Sequence, residues 1–310
     1  MKKDYFPELI AEICHEYNIH LNTIHDGLIR ILSLNGKERI IWSKKFEINS
    51  VISTRIADNK SSTYEVLKYH NIPCVLHKRY LCHYKNGGCY LDKDSLQNIS
   101  NDLKKYHEIV LKPENGYEGT DVYRCVNFED IPQIFSKFKK PYTYICLSPY
   151  YSVKAEYRTI CLNGKALLSY QKVLPFVTGN GKDTIQKLVK QKYNSIDDFP
   201  LIKNNSNHIP LCDESVNISW KFNLSQGAKS KPIDNKAILE NVQMLSLKAT
   251  QAIHINFASV DIVETFSGDL LIMEINSGVV LNQFIENNPE NYNVAKTIYR
   301  QALLAMFDKS

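Results

Sequence analysis

Val260-Asp261-Ile262-Val263-Glu264-Thr265-Phe266-Ser267-Gly268-Asp269-Leu270-Leu271-Ile272-Met273-Glu274-Ile275-Asn276-Ser277-Gly278 reads as two apolar strands, 257–263 and 270–275, joined through 265–269. Glu274 and Asn276 are two apart and share one face of a strand. A two-residue turn at Ser267-Gly268 sets Asp261 directly opposite Glu274. Three oxygen-donor side chains then meet at one end of a hairpin whose other face is apolar. Two carboxylates that close repel unless a cation joins them. Carboxylate and amide oxygens suit Mg²⁺, which also takes phosphate oxygens and water. The competing reading is an exposed acidic strand face produced by alternation alone.

Upstream, 236–253 has helical periodicity, and 194–235 is polar, irregular and rich in Asn, Ser and Pro. A segment that long without clear structure is often functional. Before it, 156–162 and 165–174 form a hairpin about Asn163-Gly164. A two-residue turn pairs Arg158 with Ser169 and Glu156 with Gln171, on one face, and sends Lys172 to the other unless a bulge intervenes. Arg158 has the planar fork that fits a phosphoryl or acyl-phosphate oxyanion. A surface ion pair is the plainer reading. Asp183 or Thr184 caps a helix running to 193.

Farther back stands Val110-Leu-Lys112-Pro-Glu-Asn-Gly116-Tyr-Glu118-Gly119-Thr120-Asp-Val122. A lysine at a strand end, a glycine loop and a return strand make a phosphate-covering device, because glycine lets backbone N–H groups approach phosphates. The same stretch also fits a surface hairpin with a glycine turn. Neither a P-loop nor G-x-G-x-x-G is present. Lys60 opens a helix over 59–69, where a lysine opposes the dipole; a phosphate partner explains it, and so does solvation. The spacing predicts further helices over 5–18, 129–139 with Pro132 in the first turn, and 291–307. Strands are expected at 108–112, 122–126 and 142–147, and a hairpin about Asn35-Gly36. That opening unit is too small to hold a core alone.

The chain has 310 residues, 44% hydrophobic and 23% charged, with net charge +5. This composition is globular, and the mild positive excess suits anionic ligands while lacking the dense basic runs of a nucleic-acid binder. No apolar stretch is long enough to span a bilayer and no signal core opens the chain, so a cytoplasmic protein without membrane attachment is expected. Eight cysteines without a C-x-x-C pair read as free thiols. His70, Cys74, His77, Cys82, His83 and Cys89 could be imagined as a zinc site, but their spacing fits no familiar finger and also suits a strand pair with incidental thiols.

In order, these pieces resemble the ATP-grasp superfamily, in particular the ATP-grasp part of cyanophycin synthetase and of bifunctional glutathione synthetase. The likeness runs over about residues 50–307. It is carried by Asp58-Asn-Lys60 through Ile72-Pro73, Lys112-Pro and the glycine loop, Glu156-Tyr-Arg158, Val177-Thr-Gly-Asn-Gly181 through Leu188, Asn223-Leu-Ser225-Gln226-Gly227-Ala, Val260-Asp261 and Glu274-Ile-Asn276. Departures are Lys172 where arginine is usual, Gln226-Gly227 for Gly-Gly, Ser148-Pro149 for an acidic residue, and Asn180 for aspartate.

The resemblance implies an α+β (α/β) ATP-grasp fold, with two lobes gripping ATP between antiparallel sheets. The expected parts are a small N-terminal unit (1–55), a small lobe (56–145) and a large lobe with the metal site (146–310). It also implies an ATP-dependent carboxylate–amine ligase working through an acyl phosphate on an amino acid or short peptide. Variants are a ligase crosslinking a ribosomal precursor peptide and a nucleotide-binding regulator that makes no bond. By the resemblance, ATP is held by Lys60, Lys112, Gly116, Glu118, Gly119, Thr120, Glu156 and the segment Cys146, Leu147, Ser148, Pro149. Arg158 and Lys172 meet the reacting phosphate. Asp261, Glu274 and Asn276 bind two Mg²⁺ ions, and Asn223, Ser225, Gln226, Gly227, Ser277 and Gly278 face the second substrate. Relatives of this type self-associate, so a homo-oligomer is among the expectations.

Overall fold

A computed structural model describes residues 3–85, 88–116, 119–138, 142–193, 199 and 206–308. The chain opens with helix α1 (Phe6–Glu16), which buries the stripe Phe6, Leu9, Ile10, Ile13 and Cys14. Strands β1 (His20–Ile24), β2 (Ile29–Leu34), β3 (Lys37–Trp42) and β4 (Lys45–Phe46) follow as an antiparallel meander. The expected hairpin is the β2–β3 turn, with Asn35 at φ 49° and Gly36 at φ 76°, the left-handed pair that a tight hairpin turn needs. This meander shares its core with the far end of the chain: Phe6, Leu32, Ile41 and Phe46 pack with Phe257, Tyr299 and Leu303. Asn49 fastens the two together, its Oδ1 accepting from the N–H groups of Asn256 and Phe257 at 2.9 and 2.8 Å while its Nδ2 donates to Phe257 O at 2.7 Å.

Helix α2 (Val51–Ala57) starts at the Ser50 cap, and α3 (Lys60–Tyr69) at Asn59, whose side chain accepts from Ser62 N. Then come β5 (Lys78–Leu81), β6 (His83–Lys85), β7 (Gly88–Tyr90), α4 (Lys93–Tyr106), β8 (Ile109–Pro113), β9 (Tyr123–Cys125), α5 (Ile131–Ser136) and β10 (Tyr144–Pro149). These build a sheet in the order β5-β10-β8-β9. The expected return strand is β9, with Ile109 opposite Cys125.

A second, five-stranded antiparallel sheet has the order β15-β12-β11-β16-β17. Its members are β11 (Val153–Leu162), β12 (Lys165–Val173), β15 (Lys229–Lys231), β16 (Phe257–Thr265) and β17 (Leu270–Asn276). Between them in sequence lie β13 (Phe176–Thr178), α6 (Ile185–Tyr193), β14 (Ser215–Asn217) and α7 (Lys236–Ala252). After them come α8 (Asn282–Asn287) and α9 (Asn291–Asp308). Thr184 caps α6, its Oγ1 accepting from Lys187 N. The stretch 194–235, expected as loop, contributes β14 and β15 among its described residues. No helix among the described residues is long and apolar enough to cross a membrane.

Two registers differ from expectation. At Asn163-Gly164 the turn is as expected, but the ladder shifts between Ile160 and Cys161, leaving Leu167 as an extra residue on β12. Arg158 therefore faces Tyr170 rather than Ser169, and Glu156 faces Lys172 rather than Gln171. The bulge moves Lys172 onto the face of Glu156 and Arg158. At β16–β17 the loop has three residues, Phe266-Ser267-Gly268, closed by Thr265 N donating to Asp269 O at 3.0 Å, with Gly268 at φ 90°. That loop alone would offset the ladder by one, but a bulge at Met273 restores it, and Asp261 pairs with Glu274 as expected.

Candidate active site

The two sheets form the walls of a cavity of about 820 Å³. Lys112, Ser148 and Pro149 line it from the β8–β10 side, and Glu156, Arg158, Lys172, Asp261, Glu274 and Asn276 from the five-stranded side. The strand order makes a transverse row, Tyr170–Arg158–Asp261–Glu274, from β12 to β17. Alternation keeps all four on one face.

Charges in this row are mutually engaged. Arg158 donates two parallel hydrogen bonds to Asp261, Nε to Oδ1 at 2.7 Å and Nη2 to Oδ2 at 2.6 Å. Lys172 Nζ sits 3.0 Å from Asp261 Oδ1 and also pairs with Glu156. Asp261 is only 1% exposed. Burial alone would raise its carboxyl, but Arg158 and Lys172 hold it well below the usual carboxylate range. Burial pushes the Glu156 carboxyl up to about 7 against the pull of Lys172.

Across the cavity, Lys60 Nζ donates to Gly116 O at 3.1 Å and lies 3.8 Å from Glu274 Oε2. Lys112 is buried, and burial and then Lys60 lower its ammonium. Glu114 accepts from Ser61 N at 2.9 Å and Ser61 Oγ at 2.6 Å, fixing the start of α3, which carries Lys60. Gly119, at φ 65°, presses against the 223–226 turn: a Cβ there would stand 2.7 Å from Asn223 Nδ2. Gly119 thus rests on the turn expected at the second substrate.

Among the described residues, no three His, Cys, Asp or Glu side chains are grouped to hold a metal. A divalent ion must rely on the mixed set Asp261, Glu274 and Asn276. Glu274 Oε1 accepts from Asn276 Nδ2 at 3.2 Å, so these two side chains already converge. Both Asp261 oxygens are engaged by Arg158 and Lys172. Two carboxylates and one amide, with phosphate oxygens and water completing the shell, are a fitting Mg²⁺ set.

Sixteen of the expected site residues line this cavity: Lys60, Lys112, Gly116, Gly119, Thr120, Ser148, Pro149, Glu156, Arg158, Lys172, Asn223, Ser225, Asp261, Glu274, Asn276 and Gly278. Cys146 is buried directly opposite Lys112 across β8–β10, its thiol pushed up to about 12 by burial. Leu147 points its side chain into the core with Ile145 and Leu111. Ser277 is buried and donates to Asp58 Oδ1 at 2.6 Å. Gln226 approaches the glycine loop, and Gly227, at φ 94°, turns the chain where a Cβ would meet Tyr193 at 2.7 Å. Glu118 lies outside the described residues.

Other cavity residues escaped the sequence reading. Tyr150 and Trp220 line it with ring centroids 5.9 Å apart, edge to face. Trp42, Lys44 and Lys45 enter from the N-terminal meander. Of the His/Cys cluster, His77 is buried with Nε2 unpartnered, and burial, then Lys112 and Lys60, hold the ring neutral. The side chain of Cys89 is outside the described set.

Residues 210–301 match the model of the RimK-like ATP-grasp domain. No curated protein matches the sequence. The structure is similar to a bifunctional glutathione synthetase from Pasteurella multocida, with TM-score 0.58, 16% identity and 95% of this chain covered. It spans only 44% of that enzyme's length. It is also similar to the D-alanine–D-alanine ligases of Bacillus anthracis (TM-score 0.52, 15% identity, 84% of this chain and 72% of that one) and Coxiella burnetii (0.51, 12%, 84% and 61%). At these identities the likeness shows the fold. The chain has the mixed α+β ATP-grasp fold expected from its motifs.

Proposed function

We propose that this chain is an ATP-dependent carboxylate–amine ligase acting on an amino acid or short peptide. The observation that carries the reading is the transverse row in which Arg158, Asp261 and Glu274 stand side by side, facing Lys60 and Lys112 across one cavity. Such a cavity holds a polyphosphate by its cations and divalent ions by its carboxylates. At about 820 Å³ it lies toward the upper end of the ~300–1,000 Å³ usual for ligand pockets, with room for a nucleotide and a second substrate.

In this reading Lys60 and Lys112 hold the phosphates, with the base against Ser148–Pro149 and the Tyr150–Trp220 pair. Arg158 and Lys172 turn from Asp261 and Glu156 to the γ-phosphoryl oxygens, because a phosphate offers more negative charge and fits the guanidinium fork. Asp261, Glu274 and Asn276 would hold Mg²⁺, as two ions in this reading, and the metal would neutralise phosphoryl charge. A carboxylate oxygen of the substrate attacks the γ-phosphorus and ADP leaves. An amine attacks the acyl carbon, phosphate leaves, and the amine gives up a proton. The protein supplies position and electrostatics, so no covalent nucleophile is needed. Gly116, Gly119 and Thr120, which line the cavity, would help keep water from the acyl phosphate.

We further propose three parts, 1–55, 56–145 and 146–310. The four-stranded sheet has a core of its own, drawn from Cys82 through Leu147, which supports a separate small lobe. The free described cysteines suit a cytoplasmic protein. Turnover of ATP to ADP across amino acids and short peptides tests the reading. ADP release that depends on an added substrate is expected. Nucleotide binding without turnover on any substrate would make the chain a regulator instead.

A further inference from the structure

The N-terminal meander supplies part of the wall of the active cavity. Trp42, Ser43, Lys44 and Lys45 line the cavity beside Gly278, Val280 and Gln283. Lys44 O and Lys45 Cγ lie 3.9 Å from where a Cβ on Gly278 would stand, so the meander touches the segment that follows the metal face. Lys45 pairs with Asp58, whose Oδ1 accepts from the buried Ser277 at 2.6 Å. Lys45, Asp58 and Ser277 therefore tie the meander to the end of β17. The Asn49 bonds to the start of β16 fix it from the other side.

Two features of this wall point to a ligand. Trp42 is 56% exposed and lines the cavity, so its ring is open to a ligand there. The cavity also carries an excess of positive charge. Its described lining includes Lys44, Lys45, Lys60, Lys112, Arg158, Lys172 and Lys221 against only Glu156, Asp261 and Glu274. Asp58 matches Lys45 and Asp4 partly matches Lys44, and a nucleoside triphosphate with two divalent ions is neutral and leaves the remaining excess in place. Lys44 pairs with Asp4 at 3.2 Å, but one carboxylate occupies only part of an ammonium's three donors.

We infer that the turn from Trp42 to Lys45 selects the second substrate, and that this substrate carries a non-reacting carboxylate beside a flat apolar or aromatic group. The inference rests on the ligase reading for its chemistry, but it is a statement about binding and is tested by binding. Trp42 covers the apolar group and the lysines meet the carboxylate, while the reacting atoms lie deeper, beside Asn276. These four residues are specificity determinants and take no part in the transfer itself.

Calorimetric titration of the full chain, with ADP and Mg²⁺ present, tests it. The probes are Glu-Phe and Asp-Phe dipeptides, the carboxylate-free amides Gln-Phe-NH₂ and Asn-Phe-NH₂, and Gly-Gly. The acidic aromatic dipeptides are expected to bind, and Trp42→Ala and Lys44→Ala each to weaken them about tenfold, the scale of one lost charge-assisted contact. ADP affinity should stay within about twofold in both variants, because Trp42 and Lys44 lie away from the nucleotide wall. Equal dipeptide affinity in wild type and variants, amidated probes binding as well as the acids, or no dipeptide binding beside bound ADP would each overturn the inference. ADP binding in the same samples separates that failure from failure of the ligase reading.

Discussion

Lys172 lies directly opposite Glu156 across β11–β12 and within 3.0 Å of Asp261, so one buried ammonium serves two buried carboxylates. The Leu167 bulge creates this relationship, since an unbroken ladder would turn Lys172 to the opposite face. Removing the lysine alone strands negative charge in the interior. Lys172→Met should destabilise the fold by about 3–5 kcal/mol, read as a lower urea midpoint. Adding Glu156→Gln should recover much of that stability without recovering turnover. Additive losses in the double variant would show that the two side chains are not coupled.

Glu274 is half-buried and faces Lys60 at 3.8 Å, so its substitution should spare the fold. Glu274→Gln is expected to lower turnover by roughly 10²–10³, the scale seen when one preorganised electrostatic group is lost, with a thermal midpoint near that of the wild type. The Mg²⁺ concentration needed for half-maximal rate should rise as well. An unchanged Mg²⁺ dependence would remove Glu274 from the metal site.

Gly119 adopts φ 65° against Asn223. Gly119→Ala adds a left-handed penalty of about 1 kcal/mol and a Cβ where the turn already stands. Weaker ATP binding is the expected result, since the loop must seat against Asn223 to cover the phosphates. Wild-type nucleotide affinity in this variant would show that the loop does not close there.

Glu12 on α1 accepts from Tyr292 Oη at 2.7 Å and pairs with Lys296 on α9 at 2.6 Å, and Lys296 also reaches Glu16. The Lys296 and Tyr292 hydrogen bonds lower the Glu12 carboxyl below its ordinary value of 4.5. A depressed folded-state value stabilises the protein above the unfolded value, and that contribution fades as pH falls through the folded one. Glu12→Gln should therefore cost about 0.5–1 kcal/mol at pH 7 and progressively less below pH 4.5. Urea unfolding of both proteins at pH 7 and pH 3.5 measures it; a constant difference would contradict the assignment.

Much of this architecture was legible because its turns are chemically explicit. Asn35-Gly36 and Asn163-Gly164 carry the left-handed pairs that specify their hairpins. The pairing of Asp261 with Glu274 was also legible, although through two compensating departures, a three-residue loop and the Met273 bulge. Bulges depend on how strands twist against their neighbours, so alternation from the turn put Lys172 on the other face unless a bulge intervened, and the Leu167 bulge does intervene. β1 was not foreseen because its His20-Leu-Asn-Thr-Ile24 run is mostly exposed and polar. The short helix α8 was missed as well. Trp42 and Lys44 could not be placed at the site from spacing, because contacts between residues such as Asn49 and Phe257 bring the meander there from 208 positions away.

The central claim is the activation of a carboxylate by phosphoryl transfer. Incubating the chain with ATP, Mg²⁺, hydroxylamine and a panel of amino acids and short peptides tests it most directly. Hydroxylamine intercepts an acyl phosphate as a hydroxamate, with ADP formed in equal amount. The account predicts hydroxamate with at least one carboxylate and none from the Asp261→Ala or Glu274→Ala proteins. ADP formation without hydroxamate on any carboxylate, or full hydroxamate yield from both variants, would contradict it.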